Sequence, residues 1–196
     1  MRRKVQQGRP LSRKHPPRRV CYGVAMSLDG FIAGPNGEFD WIVMDPEVDF
    51  EEDLKRFDTL LVGRRTFDVM RGHGDSGSMG GMKVYVFSRT LKQSNHPKVK
   101  IAANAEEVVA ELRGQPGKEI ALFGGGSLFR SLVEAQLVDS VVVAVIPVLL
   151  GEGIPLMSPP AKRVRLKLTG SRLYAKTGTM RLEYAVQYVK KSKRKT

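Results

Sequence analysis

The chain has 196 residues, with 33 Lys plus Arg against 20 Asp plus Glu, a net charge of +13. That length fits one ordinary domain of roughly 100–200 residues with a real core. A single cysteine, Cys21, excludes an intramolecular disulfide framework and any multi-cysteine zinc or iron–sulfur site.

One free cysteine suits a reducing compartment, and a cytoplasmic location is the expectation. The three histidines, His15, His73 and His96, have no ligand spacing, so no metal is expected. The longest apolar stretch, 141–150, is interrupted by Pro147. A membrane span needs about 18 apolar residues, so none is expected. The basic N-terminus has no apolar run behind it and does not read as a secretory signal.

The charge is unevenly placed. Residues 1–19 carry eight basic side chains and no acid, and residues 190–196 carry five and no acid. The body, 20–189, holds 20 of each sign and is neutral. The expected organisation is a basic disordered tail, 1–19, a folded body, 20–189, and a second basic tail, 190–196. Segments so poor in apolar residues cannot offset their ordering entropy by burial. Any nucleic-acid contact would run through these tails, blind to sequence and strongly salt-dependent.

In chain order, 20–26 reads as an opening strand and 27–40 as a loop with Asp-Gly, Gly-Pro and Asn-Gly turn signals. Residues 47–57 read as a helix, with acids near its start. A short strand, 58–62, leads into a short helix, 65–70. Residues 72–82 are rich in glycine and flexible in composition. Strands follow at 83–87 and 99–102. Asn104 caps a helix that runs to 113, with Glu107 placed as in a capping box. A strand at 119–123 runs through three glycines into a helix, 127–136, with Ser127 as a cap candidate. The continuous β-branched run 140–146 predicts a strand buried on both faces. Residues 163–174 and 178–188 alternate around Lys176-Thr177-Gly178, which predicts a hairpin. The order implies an α/β fold: a mostly parallel central sheet flanked by helices, with an antiparallel hairpin at one edge.

Two strand-to-helix junctions carry chemistry. In Gly63-Arg64-Arg65-Thr66 a glycine permits close backbone approach, and the next helix offers free amides, two cations and a hydroxyl. In Gly124-Gly125-Gly126-Ser127-Leu128 three glycines clear side chains from the carboxyl end of a strand, where open α/β sheets bind ligands. A diphosphate bridging both junctions defines a dinucleotide site. Ser88 and Arg89 end the 83–87 strand, and Arg64, Arg65 and Arg89 around one rim suit a phosphate monoester. Neither junction is a G-x-G-x-x-G or Walker pattern.

These motifs, in this order, resemble the dihydrofolate reductase fold. More closely they resemble the reductase domain at the C-terminus of bifunctional riboflavin-biosynthesis deaminase–reductases, and its stand-alone relatives. The matching stretches are 25–33, 63–67, 86–90, 123–127 and 146–156. The resemblance implies an NADPH-dependent oxidoreductase. Ala25 and Ile32 would meet the nicotinamide carboxamide. Gly63, Arg64, Arg65 and Thr66 would hold the 2′-phosphate and diphosphate, with Ser88 and Arg89 on the adenosine side. Gly124, Gly125, Gly126, Ser127 and Leu128 would line the diphosphate and nicotinamide ribose. The fold often has a cis peptide between the first two of these glycines.

On the substrate side the resemblance offers Asp29, in Ser-Leu-Asp-Gly, and one carboxylate of the 47–57 helix, which holds Glu47, Asp49, Glu51, Glu52 and Asp53 and for which Asp49 is put forward. The reaction it implies first is reduction of the ribosyl group of 5-amino-6-(5-phosphoribosylamino)uracil in riboflavin synthesis, with Lys83, Arg71 or Lys162 as candidates for the substrate phosphate. A dihydrofolate-type or other NADPH reductase is the alternative within enzymes, and a nucleic-acid-binding module using the tails the alternative outside them. The resemblance also implies a homodimer.

Overall fold

The computed structural model describes residues 15–72 and 79–188. Most of both tails, and the glycine-rich residues 73–78, lie outside the described residues.

Ten strands and four helices are formed in the described residues: β1 (Val20–Ser27), β2 (Phe31–Ala33), α1 (Phe50–Leu54), β3 (Phe57–Gly63), α2 (Arg64–Gly72), β4 (Lys83–Phe87), β5 (Lys100–Ala102), α3 (Ala105–Arg113), β6 (Glu119–Gly124), α4 (Gly126–Glu134), β7 (Ser140–Ile146), β8 (Ile154–Pro155), β9 (Arg165–Tyr174) and β10 (Thr179–Gln187). Eight of the strands make one sheet in the order β5-β4-β3-β6-β1-β7-β10-β9. The six from β5 to β7 are parallel, and β10 and β9 add antiparallel at one edge. The carboxyl ends of β3, β4 and β6 therefore open on one rim, and each runs into a loop or helix that can face a ligand.

Two apolar layers hold the sheet. On one face α3 and α4 bring Val109, Leu112, Phe129, Leu132 and Val133 onto Val20, Tyr22, Leu61, Ile120 and Leu122. On the other, Phe67 and Met70 of α2 pack on Leu60, Val62, Val84 and Val86. Asn104 caps α3 by accepting from the Glu106 and Glu107 amides, at 3.1 and 3.3 Å. The hairpin turns at Gly178, whose φ of 72° lies in the left-handed region.

Several expectations are corrected. The 47–57 helix contracts to five residues, because Asp49 caps a helix beginning at Phe50 and Phe57 already belongs to β3. Ser127 does not cap α4: Gly125 is the cap residue and makes no side-chain bond, while the Ser127 hydroxyl donates to Ser158 Oγ at 3.0 Å. The β7 run is not buried on both faces. Val141 and Val143 are buried in the core, whereas Val142 and Ala144 line a cavity on the other face. Within the 27–40 loop, β2 pairs with β8 in a small second sheet. Arg18, counted with the tail by charge, is buried. Its guanidinium meets Asp58 and donates to Thr59 Oγ1 at 2.9 Å, and its Nε donates to the Lys118 carbonyl at 2.6 Å.

Candidate active site

One cavity of about 2000 Å³ runs along the rim and down the open face of the sheet. Its lining divides by element. One end is built from the carboxyl ends of β3, β4 and β6 with the first turns of α2 and α4. The other is built from the 39–57 segment over β1, β7 and β10.

At the first end the two glycine junctions abut. A Cβ on Gly63 would lie 3.6 Å from the Gly124 carbonyl and Gly125 amide, and one on Gly124 would lie 3.4 Å from Thr66 Oγ1. The Gly124–Gly125 peptide is cis. The first turn of α4 has no side-chain cap, so its amides and the positive end of its dipole are left for a ligand. Ser88 Oγ accepts from the Thr90 and Leu91 amides at 3.2 and 3.1 Å and shapes the turn that carries Arg89. Arg64 donates to the Thr90 hydroxyl and pairs with Asp68 at 3.5 Å. Arg65 and Arg89 have no ion-pair partner among the described residues, and both line the cavity. Gly63, Arg64, Arg65, Thr66, Ser88, Arg89, Gly124, Gly125, Gly126, Ser127 and Leu128 all line this one cavity, as do Ala25 of β1 and Ile32 of β2. The arrangement fits a dinucleotide phosphate: bare backbone, a free helix terminus and two uncommitted guanidinium groups.

The two expected carboxylates stand elsewhere. Asp29 is not among the lining residues. It accepts from the Ser27 hydroxyl at 2.6 Å and from the Leu150 and Gly151 amides at 3.0 and 2.7 Å, tying two loops together. The Ser27 bond first, then the two amides, hold its carboxyl below the usual range against the effect of burial. Asp49 accepts from the Glu52 amide at 2.9 Å as the cap of α1, and it too is absent from the lining. The acid of α1 that lines the cavity is Asp53. It pairs with Arg181 of β10 at 2.5 Å, and Arg181 also meets Glu183 at 3.1 Å. Asp45 lines the same end, with its carboxylate accepting from the Glu47 amide and from the amide and hydroxyl of Thr177. Cys21 lies on the floor, and burial pushes its thiol pKa up. Lys83, Arg71 and Lys162 do not line the cavity.

Residues 18–178 match the model of the RibD C-terminal domain, which is more than half of the chain. The chain belongs to the RibD C-terminal domain family. Among relatives, it is 36% identical over 178 residues to the uncharacterized protein YyaP of Bacillus subtilis, covering 85% of this chain and 94% of that one. Among solved structures of this family and fold, it superposes with a TM-score of 0.74 on a putative riboflavin biosynthesis protein from Shewanella sp. PV-4, at 25% identity, covering 87% of this chain and 99% of the other. It also superposes on Enterococcus faecalis dihydrofolate reductase complexed with NADP(H), with a TM-score of 0.62 at 17% identity, covering 87% and 97%. This last likeness is one of fold.

Proposed function

We propose that the protein is an NADPH-dependent reductase that passes hydride to a small heterocyclic or ribosyl substrate, of the type that reduces 5-amino-6-(5-phosphoribosylamino)uracil in riboflavin synthesis. The observation that carries this reading is the rim where Gly63 and Gly124–Gly126 abut, with an uncapped α4 and with Arg65 and Arg89, which have no ion-pair partner among the described residues, lining one cavity. Membership of the RibD C-terminal domain family supports it.

When bound, the nicotinamide supplies the hydride, and the protein supplies position and charge. Arg65 and Arg89 take the 2′-phosphate. Arg64, held by Thr90 and Asp68, fixes the turn beside them. The bare backbone at Gly63, Gly124, Gly125 and Gly126 lets a diphosphate reach the first turns of α2 and α4, beside Thr66, Ser127 and Leu128. Ala25 and Ile32 frame the reacting end. Asp29 acts as a positioning residue that locks the loop after β1 to residues 150–151. Asp53, rather than Asp49, offers the substrate a carboxylate. The exposed leucines Leu166, Leu168 and Leu173 on the outermost strand make β9 the surface proposed for a homodimer. Cytoplasmic residence belongs to the same reading. No helix among the described residues is long and apolar enough to cross a membrane.

The test is titration of the full chain with NADPH and NADH by calorimetry, with Trp41 fluorescence as a second signal. A hydrogen bond to a charged group contributes about 1.5–3 kcal/mol, so Arg65→Ala and Arg89→Ala should each weaken NADPH about 10- to 150-fold and leave NADH almost unchanged. Absence of binding by either nucleotide, or equal losses for both, overturns the reading.

A further inference from the structure

We infer that Thr179 sets the specificity of the cavity end under residues 39–57: it acts there as a hydrogen-bond acceptor, fixed in that sense by Asp45 through Thr177, and so selects a ring that presents an N–H or O–H. This rests on the reductase reading and narrows what its substrate must offer. A threonine hydroxyl is ordinarily ambivalent, because its proton rotates to suit whichever partner arrives. Here that freedom is removed.

Asp45, Thr177 and Thr179 form a chain that starts in the 39–57 segment and ends on β10. The Asp45 carboxylate accepts from the Glu47 amide at 2.9 Å, from the Thr177 amide at 3.1 Å and from the Thr177 hydroxyl at 2.9 Å. The Glu47 amide first, with Thr177 behind it, holds the Asp45 carboxyl below the usual range against the effect of burial. At neutral pH the group is therefore ionised, and it only accepts. The one proton of the Thr177 hydroxyl is thus committed to Asp45. The hydroxyl oxygens of Thr177 and Thr179 lie 2.9 Å apart, and a bond across that gap must use the proton of Thr179. No other acceptor meets the Thr179 hydroxyl among the described residues.

Thr179 is buried and lines the cavity. With its proton turned toward Thr177, its oxygen offers a ligand only lone pairs. A ring that brings an N–H completes the chain. A ring that brings a carbonyl sets two acceptors face to face, away from water, and neither finds a proton. A site built to meet a donor rejects the analogue that lacks it more strongly than it rejects a small change of shape. Asp45 and Thr177 are positioning residues in this scheme. They act on the ligand through the sense they impose on Thr179.

The experiment uses the full chain loaded with NADPH and two probes: uracil, which carries ring N–H groups, and 1,3-dimethyluracil, which carries none. Dissociation constants are read by ligand-observed NMR, and NADPH affinity, measured alongside, checks that each variant is folded. Uracil should bind roughly fivefold or more tightly than the dimethyl form. Two substitutions should narrow that ratio from opposite sides. Thr179→Val removes the acceptor, so uracil should weaken while the dimethyl form and NADPH do not change. Thr177→Ala frees the Thr179 proton for a carbonyl, so the dimethyl form should tighten while uracil holds. Thr179→Ser keeps the hydroxyl and should keep the parent ratio. A parent that does not prefer uracil overturns the inference, as does a preference that survives Thr179→Val. A Thr177→Ala protein with the parent ratio overturns it too, since the sense of Thr179 then does not come from Asp45. Binding of neither probe has the same force. Failure of the parent to bind NADPH is the separate failure of the reductase reading, and the same ratios on the unloaded chain then decide the role of Thr179.

Discussion

Gly126 and Gly63 both line the cavity, yet they answer to different neighbours, and alanine at each separates structure from ligand binding. A Cβ on Gly126 would sit 2.5 Å from the Pro155 carbonyl oxygen, 3.1 Å from that of Leu156 and 3.2 Å from the Ser158 amide. All three are backbone atoms of one segment, and that segment cannot retreat freely. Arg130 holds it through the carbonyls of Ser158, Pro159 and Pro160, and Ser127 holds Ser158. Overpacking of this kind costs about 1–3 kcal/mol, and in a chain of this size each kcal/mol lowers Tm by about 2–4 °C, so Gly126→Ala should melt about 2–12 °C lower. A Cβ on Gly63 meets only ordinary contacts at 3.6–4.0 Å. Gly63→Ala should therefore unfold within about 0.5 kcal/mol of the parent. It still puts a methyl where a diphosphate must approach, so NADPH affinity should fall at least tenfold. Circular dichroism melts and urea titrations, beside NADPH calorimetry, read both quantities. A Gly126→Ala protein as stable as the parent refutes the packing of residues 155–158 on α4. A Gly63→Ala protein that binds NADPH normally refutes the reasoning about the rim.

The remaining predictions concern pH, the core and the tails. The Asp45 and Asp58 carboxyls are held below the usual range. For Asp45 the Glu47 amide and Thr177 outweigh burial; for Asp58 burial acts to raise it, and Thr59, the Lys118 amide and Arg18 together prevail. Their folded pKa lies below the unfolded value of about 3.9, so the stability they confer is complete above that value and is lost as pH falls through the folded one. Urea midpoints should drop as pH falls below about 4, and Asp45→Asn should flatten that drop. Tyr22 is fully buried against Phe129, and its hydroxyl has no hydrogen-bond partner among the described residues. Tyr22→Phe should be neutral or should raise stability by about 1 kcal/mol, measured by urea unfolding, and a loss of 2 kcal/mol or more would refute it. Removing 1–14 and 189–196 should leave the melt and NADPH titration unchanged while abolishing any salt-dependent retention on polyanion resin, whereas retention that survives the removal places it in the neutral body.

The parts of the fold legible in the sequence are those decided within a few residues. Strands β3, β4, β6 and β7 follow from runs of branched and aromatic side chains, and α3 from Asn104 and its apolar face. The glycine junctions at 63–66 and 124–128 were visible because backbone clearance has a compositional signature. The end of the cavity under residues 39–57 left no such trace. Asp53 and Arg181 stand 128 residues apart, and only the wrap of α1 against β10 joins them. Asp49 and Asp53 share one short acidic segment, and which of them turns inward is decided by the cap that Asp49 makes, a matter of tertiary geometry. The 47–57 helix was over-read for a related reason: acids and spaced apolar residues look helical, but Asp49 caps the segment only at Phe50, and Phe57, packed with Leu54 against the α2 side of the core, already belongs to β3. Arg18 looked like tail because charge counts ignore the carboxylate and carbonyl waiting for it.

The place of β1 in the sheet has a consequence for how the protein is made. The first of the described strands to leave the ribosome is an inner strand, and both its neighbours, β6 and β7, are encoded far downstream. Until residues 119–146 emerge, Val20–Ser27 has no partner on either side, and both of its hydrogen-bonding edges stay open to solvent or chaperone. The floor on which both ends of the cavity rest is thus completed late in translation. A message cut short before β7 would yield a chain carrying the Arg64–Arg65 and triple-glycine motifs with no assembled cavity, and with an aggregation-prone strand exposed from the start.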